Sequence, residues 1–409
     1  MNNASNEKKV SLWRNRDYLL LWLGQAVSSL GTGMTQFAFP LLILVLTNNT
    51  AVAGFAGALG WLPYVFFSLP AGALVDRWQR KRIMIGCTVG LILCLASIPL
   101  ALLYAHLTIA QIYLVSFLMG TLALFYDLAE LAALTQLVAK TQLPDAVTQN
   151  EAVYSGVSLL APSLGGLLLS IRTALPFVAD VFSYFVLLGS LLCIRSSLDH
   201  ERDNTGTHLL AEMREGVRWL WSHVVVRWLA WLTGYLYVAI SGSFLIVFVI
   251  ARQQHIASGV IGIIVAAGGI GNLIGTALSA PYQRRLPFGR ALGLMMLGYV
   301  LFWPWYGFVR SPLLIGIVFA ALALVDSIAN ILIASYRMVE TPEKLQGRVA
   351  SVYRLILYST IAAGQALIGI GLQRLGVLAT LGILWSGLVC FALLVLVHPL
   401  IRKAAFTNG

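Results

Sequence analysis

Long apolar segments, separated by short polar connections, run along almost the whole sequence. Twelve segments of roughly 20 or more mostly apolar residues are each long enough to cross a hydrocarbon core of about 30 Å as a helix. Strands of a membrane barrel would alternate polar and apolar residues, and these segments do not. We therefore predict an all-α integral membrane protein, since helices satisfy their own backbone groups in lipid. The predicted spans cover residues 17–46, 51–75, 83–105, 110–137, 148–171, 174–195, 226–250, 258–282, 289–309, 312–337, 348–373 and 376–400.

Composition indicates the same class of protein. Of the 409 residues, 59% are hydrophobic and only 11% are charged, and the mean hydropathy is +0.84, far from the averages of soluble domains. The polar start of the chain leads into a span too long for a signal-peptide core, so we expect it to be retained. The four cysteines fall inside apolar spans without metal-ligand spacing, so we expect no metal and no cofactor.

The basic residues predict an orientation. Lys and Arg are retained on the cytoplasmic side of short loops. With both termini inside, 23 of the 27 Lys and Arg residues fall on the cytoplasmic side. We therefore expect a multi-pass protein of the cell inner (cytoplasmic) membrane with both termini cytoplasmic. The net charge of +11 is then explained by topology and by contact with anionic membrane lipids, and no nucleic-acid partner is needed.

The chain shows a weak internal duplication. The segment "GTALSAPYQRR" follows the eighth span as "GALVDRWQRKR" follows the second, about half the chain length earlier. We predict an N-terminal six-helix bundle (1–195), a cytoplasmic linker (196–225) and a C-terminal six-helix bundle (226–409). In the linker, apolar residues recur at helical spacing from Leu209 to Trp221, which favours an amphipathic helix on the membrane surface over a disordered segment.

Several stretches carry a family resemblance. Between the second and third spans the chain is similar to the pattern G-x-L-x-D-R-x-x-R-K of the major facilitator superfamily of transporters. The stretches "LWRNRDYLLLWLGQAVSSLG", "EGVRWLW" and "LQGRVASVYR" resemble its macrolide-efflux and enterobactin-exporter-like branch. The resemblance implies two pseudo-symmetric six-helix bundles (the major facilitator fold), with the first, fourth, seventh and tenth spans lining a central cavity.

The charged motif after the second span predicts a conformational latch. Gly72 permits close approach of another helix. Asp76 lies at the C-terminal end of the second span, where the helix dipole disfavours an anion, so we expect it to seek a basic residue or another helix N-terminus. The resemblance implies that this helix is the eleventh, near Gly347, and we expect the cytoplasmic latch between the halves to be closed when the protein faces outward. The alternative is that the basic residues only fix topology. The predicted latch comprises Gly72, Asp76, Arg77, Arg80 and Lys81.

The fifth span contains "GVSLLAPSLGG", which resembles the G-P-x-x-G-G motif associated with antiporters through Pro162, Gly165 and Gly166. Ala161 stands where that motif has its first glycine. The fourth span has no arginine, whereas some drug:proton antiporters carry one there. The route of proton coupling therefore cannot be copied from those relatives.

Acidic residues inside the spans are the candidate coupling sites, because an ionisable group in the bilayer costs about 2.5–3.5 kcal/mol on insertion scales. Asp127 and Glu130 lie three residues apart and hence on one face of the fourth span, where one carboxyl could hold a proton near neutral pH. Asp326 lies in the tenth span, the counterpart of the fourth. We expect Asp127 and Asp326, with Glu130 next, to bind protons or cations; the alternative is a structural role, which we favour for Asp180.

Polar and aromatic residues of the lining spans are candidates for contact with an amphipathic substrate. Core packing is the alternative for each of them. The candidates are Gln25, Gln36, Tyr235, Tyr237 and Asn330.

The sequence as a whole predicts a secondary active transporter. We expect a proton-coupled exporter of amphipathic small molecules, such as a drug, a macrolide-like compound or a siderophore, working by alternating access as a monomer. Within the same superfamily an importer or a lipid flippase is the alternative. A membrane receptor without transport is the alternative from another class. We do not expect an enzyme, since no histidine pairs with a nucleophile or metal-like partner in the sequence and no phosphate-binding G-x-x-x-x-G-K-S/T motif is present.

Overall fold

Twelve long apolar helices build the protein, as the sequence predicts. The computed structural model describes residues 12–196 and 209–398, and within these ranges all regular structure is helical. Twelve helical segments are long and apolar enough to cross a membrane, and the ninth of them is Phe288–Phe308 with its break included. The all-α class and the twelve predicted spans are confirmed.

The helices that we call spans 1 to 12 have the following bounds: Arg16–Thr47, Thr50–Arg77, Arg80–Leu103, Ile109–Leu137, Leu143–Ile171, Leu175–Cys193, Val224–Gln253, Ser258–Arg285, Phe288–Phe302, Pro312–Glu340, Gln346–Arg374 and Gly376–Val397. A further helix, the linker helix, covers Leu209–Ser222, and a short helix, Trp305–Phe308, follows span 9.

The ends of some helices differ from the ends of the predicted apolar segments, because particular residues extend or interrupt the helix. Span 5 begins at Leu143, before its apolar stretch, because Pro144 occupies the first turn, where its missing N–H costs nothing. The predicted ninth span is broken after Phe302, at Pro304. Asn49 caps span 2 by accepting hydrogen bonds from the backbone N–H groups of Ala51 and Val52.

Spans 1–6 and spans 7–12 pack in the same way. Span 2 contacts span 4, and the corresponding spans 8 and 10 are also in contact. Span 1 contacts span 5, and the corresponding spans 7 and 11 are also in contact. Two further pairs, span 2 with span 11 and span 5 with span 8, join the two sets of helices. The end of the bundle beside the linker helix is called the linker end below, and the opposite end the far end.

The linker helix packs against the N-terminal end of span 11. Leu220 lies in an apolar cluster with Val226, Val349 and Tyr353. A Cβ atom at Gly216 would lie 2.9 Å from the carbonyl oxygen of Arg348. The linker helix is thus held by backbone proximity and apolar packing to the second set of spans.

The two sets of spans meet tightly at the far end. A Cβ at Gly262 in span 8 would lie 2.3 Å from the carbonyl oxygen of Pro162 in span 5. In the symmetry-related contact, a Cβ at Gly369 in span 11 would lie 2.7 Å from the carbonyl oxygen of Thr50 in span 2. Small residues allow such close backbone approach in membrane helices, and these two contacts close the far end.

Candidate functional site

Asp127 of span 4 points toward the boundary between the two sets of spans. Its Oδ2 accepts a hydrogen bond of 2.8 Å from the hydroxyl of Tyr64 in span 2. The Asp127 side chain is exposed although it lies near the middle of its helix, and Glu130, one turn nearer the linker end, is half-buried. Because Tyr64 touches span 11, Asp127 faces the interior of the bundle and is directed away from lipid.

Three aromatic rings lie beside Asp127 and connect the two sets of spans. Trp61 of span 2 stacks on Tyr358 of span 11, with ring centroids 5.8 Å apart and ring planes 21° apart. The Tyr64 ring lies 5.0 Å from the Tyr358 ring and 5.4 Å from the Trp61 ring. We call Trp61, Tyr64 and Tyr358 the aromatic cluster. Our sequence analysis missed all three, although the spacing of Trp61 and Tyr64 places both on one helix face.

Asp326 of span 10 lies in a chain of hydrogen bonds. Its Oδ1 accepts a bond of 2.7 Å from the hydroxyl of Tyr299 in span 9 and one of 3.0 Å from Nδ2 of Asn330. The hydroxyl of Tyr237 in span 7 donates in turn to Oδ1 of Asn330, at 3.2 Å. Tyr299 is 2% exposed, while Asp326 is half-buried. The network brings three predicted residues together with Tyr299, which the sequence did not single out.

The other residues that we predicted to contact a substrate do not all lie in the same part of the bundle. The amide oxygen of Gln25 accepts a 2.8 Å hydrogen bond from the buried Tyr126 of span 4, and Gln36 is exposed. Tyr235 donates a 2.6 Å hydrogen bond to the carbonyl oxygen of Leu384 and packs against Phe391, both in span 12. Its ring is directed away from spans 1–6, so Tyr235 is left out of the proposed cavity.

Asp180 lies in span 6 and is fully buried. Its Oδ1 accepts a 3.1 Å hydrogen bond from the hydroxyl of Ser183. A Cβ at Gly31 of span 1 would lie 2.6 Å from the same oxygen, so span 1 covers the carboxyl group. Asp180 therefore lies at a helix contact within one set of spans, separate from Asp127 and Asp326.

The motif of span 5 lies at helix contacts. A Cβ at Gly165 would lie 3.0 Å from the carbonyl oxygen of Met34 in span 1, and one at Gly166 would lie 2.5 Å from that of Ser258 at the start of span 8. With the Pro162 contact to Gly262, the motif joins span 5 to span 1 on one face and to span 8 on another. The arrangement fits a packing surface at which the far end can close.

Two of the latch residues donate hydrogen bonds within their own set of spans. Nη1 of Arg80 donates a 3.0 Å hydrogen bond to the carbonyl oxygen of Ala132 near the end of span 4. Nζ of Lys81 donates a 2.6 Å bond to the carbonyl oxygen of Ile194, just after span 6. The oxygen of Ile194 lies at the C-terminus of span 6, where the helix dipole favours a cation. Arg77 is exposed.

The linker end is open at the predicted latch. Among the described residues, a Cβ at Gly72 or at Gly347 would meet no atom within 4 Å. The side chain of Asp76 lies outside the described part of the structure. Arg348, at the start of span 11, forms an ion pair with Glu215 of the linker helix. The predicted contact of Gly72 with span 11 is therefore not made in this conformation, whose far end is closed.

A metal site of the usual kind is not found in the described ranges. Within residues 12–196 and 209–398, no three His, Cys, Asp or Glu residues are grouped as metal ligands would be.

A model of the Major Facilitator Superfamily matches residues 21–365. The chain is 26% identical to macrolide efflux protein A of Streptococcus pyogenes over 212 residues, 51% of this chain and 52% of that protein. It thus spans about half the length of that relative. It is 25% identical to the multidrug efflux pump Tap of Mycolicibacterium fortuitum (86% of this chain, 88% of Tap) and 25% identical to the enterobactin exporter EntS of Escherichia coli (90% and 88%).

Solved structures share the fold. A mutant of the nucleoside transporter NupG superposes with a TM-score of 0.75 at 11% identity, covering 92% of this chain and 98% of that one. A bacterial homologue of the iron transporter ferroportin in an inward-facing state superposes with a TM-score of 0.69 at 15% identity, covering 93% and 99%. The similarity extends over both sets of spans.

Proposed function

The chain belongs to the Major Facilitator Superfamily, and on this premise we propose that it is a proton-coupled exporter of amphipathic small molecules. The observation that carries the proposal is the placement of Asp127 and Asp326. One carboxylate lies in each set of spans, on the symmetry-related spans 4 and 10, and among the described residues neither is paired with a basic side chain. Carboxyl groups inside a membrane bundle that face a cavity are suited to proton binding.

The direction of transport is inferred from the relatives, and the exchange of substrate for protons is inferred from the motif in span 5. The relatives named above are an efflux protein, an efflux pump and an exporter. The motif around Pro162, Gly165 and Gly166 lies at the contacts of span 5 with spans 1 and 8, which must part when the far end opens. Exchange of a substrate for protons requires such alternation between two ends. The substrate is an amphipathic small molecule, and the protein acts as a monomer.

The orientation follows from charge. The linker end carries the basic residues of the Arg77 to Arg82 stretch and of the linker helix, so we place it, with both termini, at the cytoplasmic side of the inner membrane. The structure would then be the inward-facing conformation. Fusion of alkaline phosphatase to the C-terminus should give no activity in intact cells, and strong activity would refute this orientation.

The alternating motion involves two units, residues 1–195 and 226–409, joined by the linker. When the linker end closes, Gly72 and Asp76 would approach the start of span 11. Asp76→Asn should then slow transport and shift the protein toward the inward-facing conformation. An unchanged rate and an unchanged distribution of conformations would remove the latch from the mechanism.

Purified protein in liposomes tests the function. With an imposed pH gradient, at least one compound of an amphipathic panel should accumulate against its own gradient, and a proton ionophore should abolish the accumulation. Absence of flux for the entire panel, with correctly folded protein, would favour a receptor over a transporter.

A further inference from the structure

The aromatic cluster and Asp127 form one site at the boundary of the two sets of spans. All three rings lie within 6 Å of one another by their centroids, and each side chain keeps part of its surface exposed. A fully packed core would cover these rings. The exposed part of the cluster is therefore available to a ligand in the bundle interior.

The carboxylate of Asp127 is only partly satisfied by the protein. Tyr64 donates to Oδ2, and within the described ranges no other hydrogen bond to this carboxylate is formed. Glu130 adds a second acidic group one turn away. Arg354 lies one turn from Tyr358 toward the linker end and has an exposed side chain, so water weakens its charge, whereas Asp127 is bonded directly to the cluster through Tyr64.

The aromatic cluster and the two acidic side chains together favour a ligand of one charge. The face of an aromatic ring attracts a cation, most strongly when the ring belongs to Trp or Tyr and the site is shielded from water. A neighbouring carboxylate adds charge attraction for the same ligand. An anionic ligand would meet the negative faces of three rings and two acidic side chains. The site thus favours an organic cation over an anion of the same shape.

We propose that Trp61, Tyr64, Tyr358 and Asp127 bind the cationic group of an amphipathic organic cation. The inference rests on the proposed transport function and narrows its substrate class: a lipophilic amine or quaternary cation is accepted, and an acidic siderophore is not.

The site also connects binding to conformation. Trp61 and Tyr64 belong to span 2, whereas Tyr358 belongs to span 11 of the other set. The three rings are together only while these spans are in contact, as they are with the far end closed. A cation bound here stabilises that conformation, because a ligand shifts an equilibrium toward the state that it binds more tightly.

A pair of probes of equal shape and opposite charge tests the proposal. The full chain, purified in detergent, is titrated with radiolabelled tetraphenylphosphonium and, separately, with tetraphenylborate. We expect the phosphonium to bind at least about tenfold more tightly, since both the rings and the carboxylate favour the positive charge. Equal or tighter binding of the borate would overturn the proposal.

Substitutions then locate the site. Trp61→Leu, Tyr358→Leu and Asp127→Asn should each weaken phosphonium binding by about 3- to 30-fold, while Tyr358→Phe, which keeps the ring, should change it by less than about threefold. Trp305→Leu, at a tryptophan that is 51% exposed at the far end, is the matched control. Gel filtration verifies that each variant is folded. Undiminished binding in the folded Trp61→Leu and Asp127→Asn variants would place the cation elsewhere and refute the assignment.

The inference and the proposed function fail in different ways. If the phosphonium does not bind while the proton gradient still drives transport of other compounds, the proposed cation site is wrong and the proposed transport function is unaffected. If it binds as expected but no compound is moved by a pH gradient, the cation site stands and proton-coupled transport is wrong.

Discussion

The hydroxyl of Tyr299 lies 2.7 Å from Oδ1 of Asp326 and donates a hydrogen bond to it from a side chain that is 2% exposed. Tyr299 belongs to span 9, outside the four spans that the family resemblance assigns to the cavity. Tyr299 of span 9 thus holds Asp326, a candidate coupling residue of span 10, in place.

We predict that Tyr299→Phe destabilises the protein by about 1–3 kcal/mol, because the half-buried carboxyl group of Asp326 loses the hydrogen bond that the buried Tyr299 donates. The midpoint of thermal unfolding in detergent measures this effect. Asp326→Asn and Tyr299→Phe should be less than additive in combination, as residues in direct contact are coupled. Fully additive costs would show that the hydrogen bond has no energetic role. Tyr235→Phe, which removes a bond to a backbone carbonyl only, is the matched control.

The contact of Gly262 with Pro162 gives a prediction about conformation. Gly262→Val places atoms where the carbonyl oxygen of Pro162 lies, since even a Cβ would be 2.3 Å away. Overpacking of this kind costs about 1–3 kcal/mol, and here the spans relieve it by separating. We expect the far-end-closed conformation to lose at least about tenfold in population. Spin labels at Leu46 and Leu375, both exposed at the far end, should report longer distances.

Gly189→Val is the control for that experiment, because a Cβ at Gly189 meets no atom within 4 Å. The label distances of this control should match those of the unsubstituted protein. Equal distances in the Gly262→Val variant would show that the glycine contact does not close the far end.

Two neighbouring residues of the linker helix are predicted to differ in importance. Glu215 pairs with Arg348, but the two side chains are 53% and 32% exposed, and exposed ion pairs contribute about 0–1 kcal/mol. Gly216 is buried against the backbone of Arg348. Glu215→Gln should therefore leave thermal stability almost unchanged, whereas Gly216→Leu should lower it by about 1–3 kcal/mol. The reverse order of the two effects would mean that charge, and not packing, holds the linker helix.

The sequence was sufficient to predict the helices, but it was not sufficient to predict which side chains contact one another. Hydropathy over twenty residues is a property of one segment, so the twelve spans were predictable. Asp127 and Asp326 were predictable as candidates because a charge in an apolar span is conspicuous. Trp61, Tyr358 and Tyr299 are aromatic residues in apolar spans, where nothing in the sequence distinguishes a ring facing a carboxylate from one in the core.

Tyr235, which we singled out from the sequence as a candidate for substrate contact, shows the same limit of sequence-based prediction. It shares span 7 with Tyr237 and follows the same aromatic pattern, yet the two hydroxyl groups bond to different spans. Residues two apart on a helix point in directions about 200° apart. Which of the two faces Asn330 depends on how span 7 is rotated against its neighbours, and that rotation is a tertiary property.

The central claim, that Asp127 and Asp326 couple proton movement to substrate movement, is tested most directly in liposomes. Substrate-induced proton flux is followed with a pH-sensitive dye for the unsubstituted protein, Asp127→Asn and Asp326→Asn. We predict proton flux for the unsubstituted protein and, in each variant, loss of at least about nine-tenths of it while substrate still equilibrates down its own gradient. Full proton coupling in both folded variants would contradict the account.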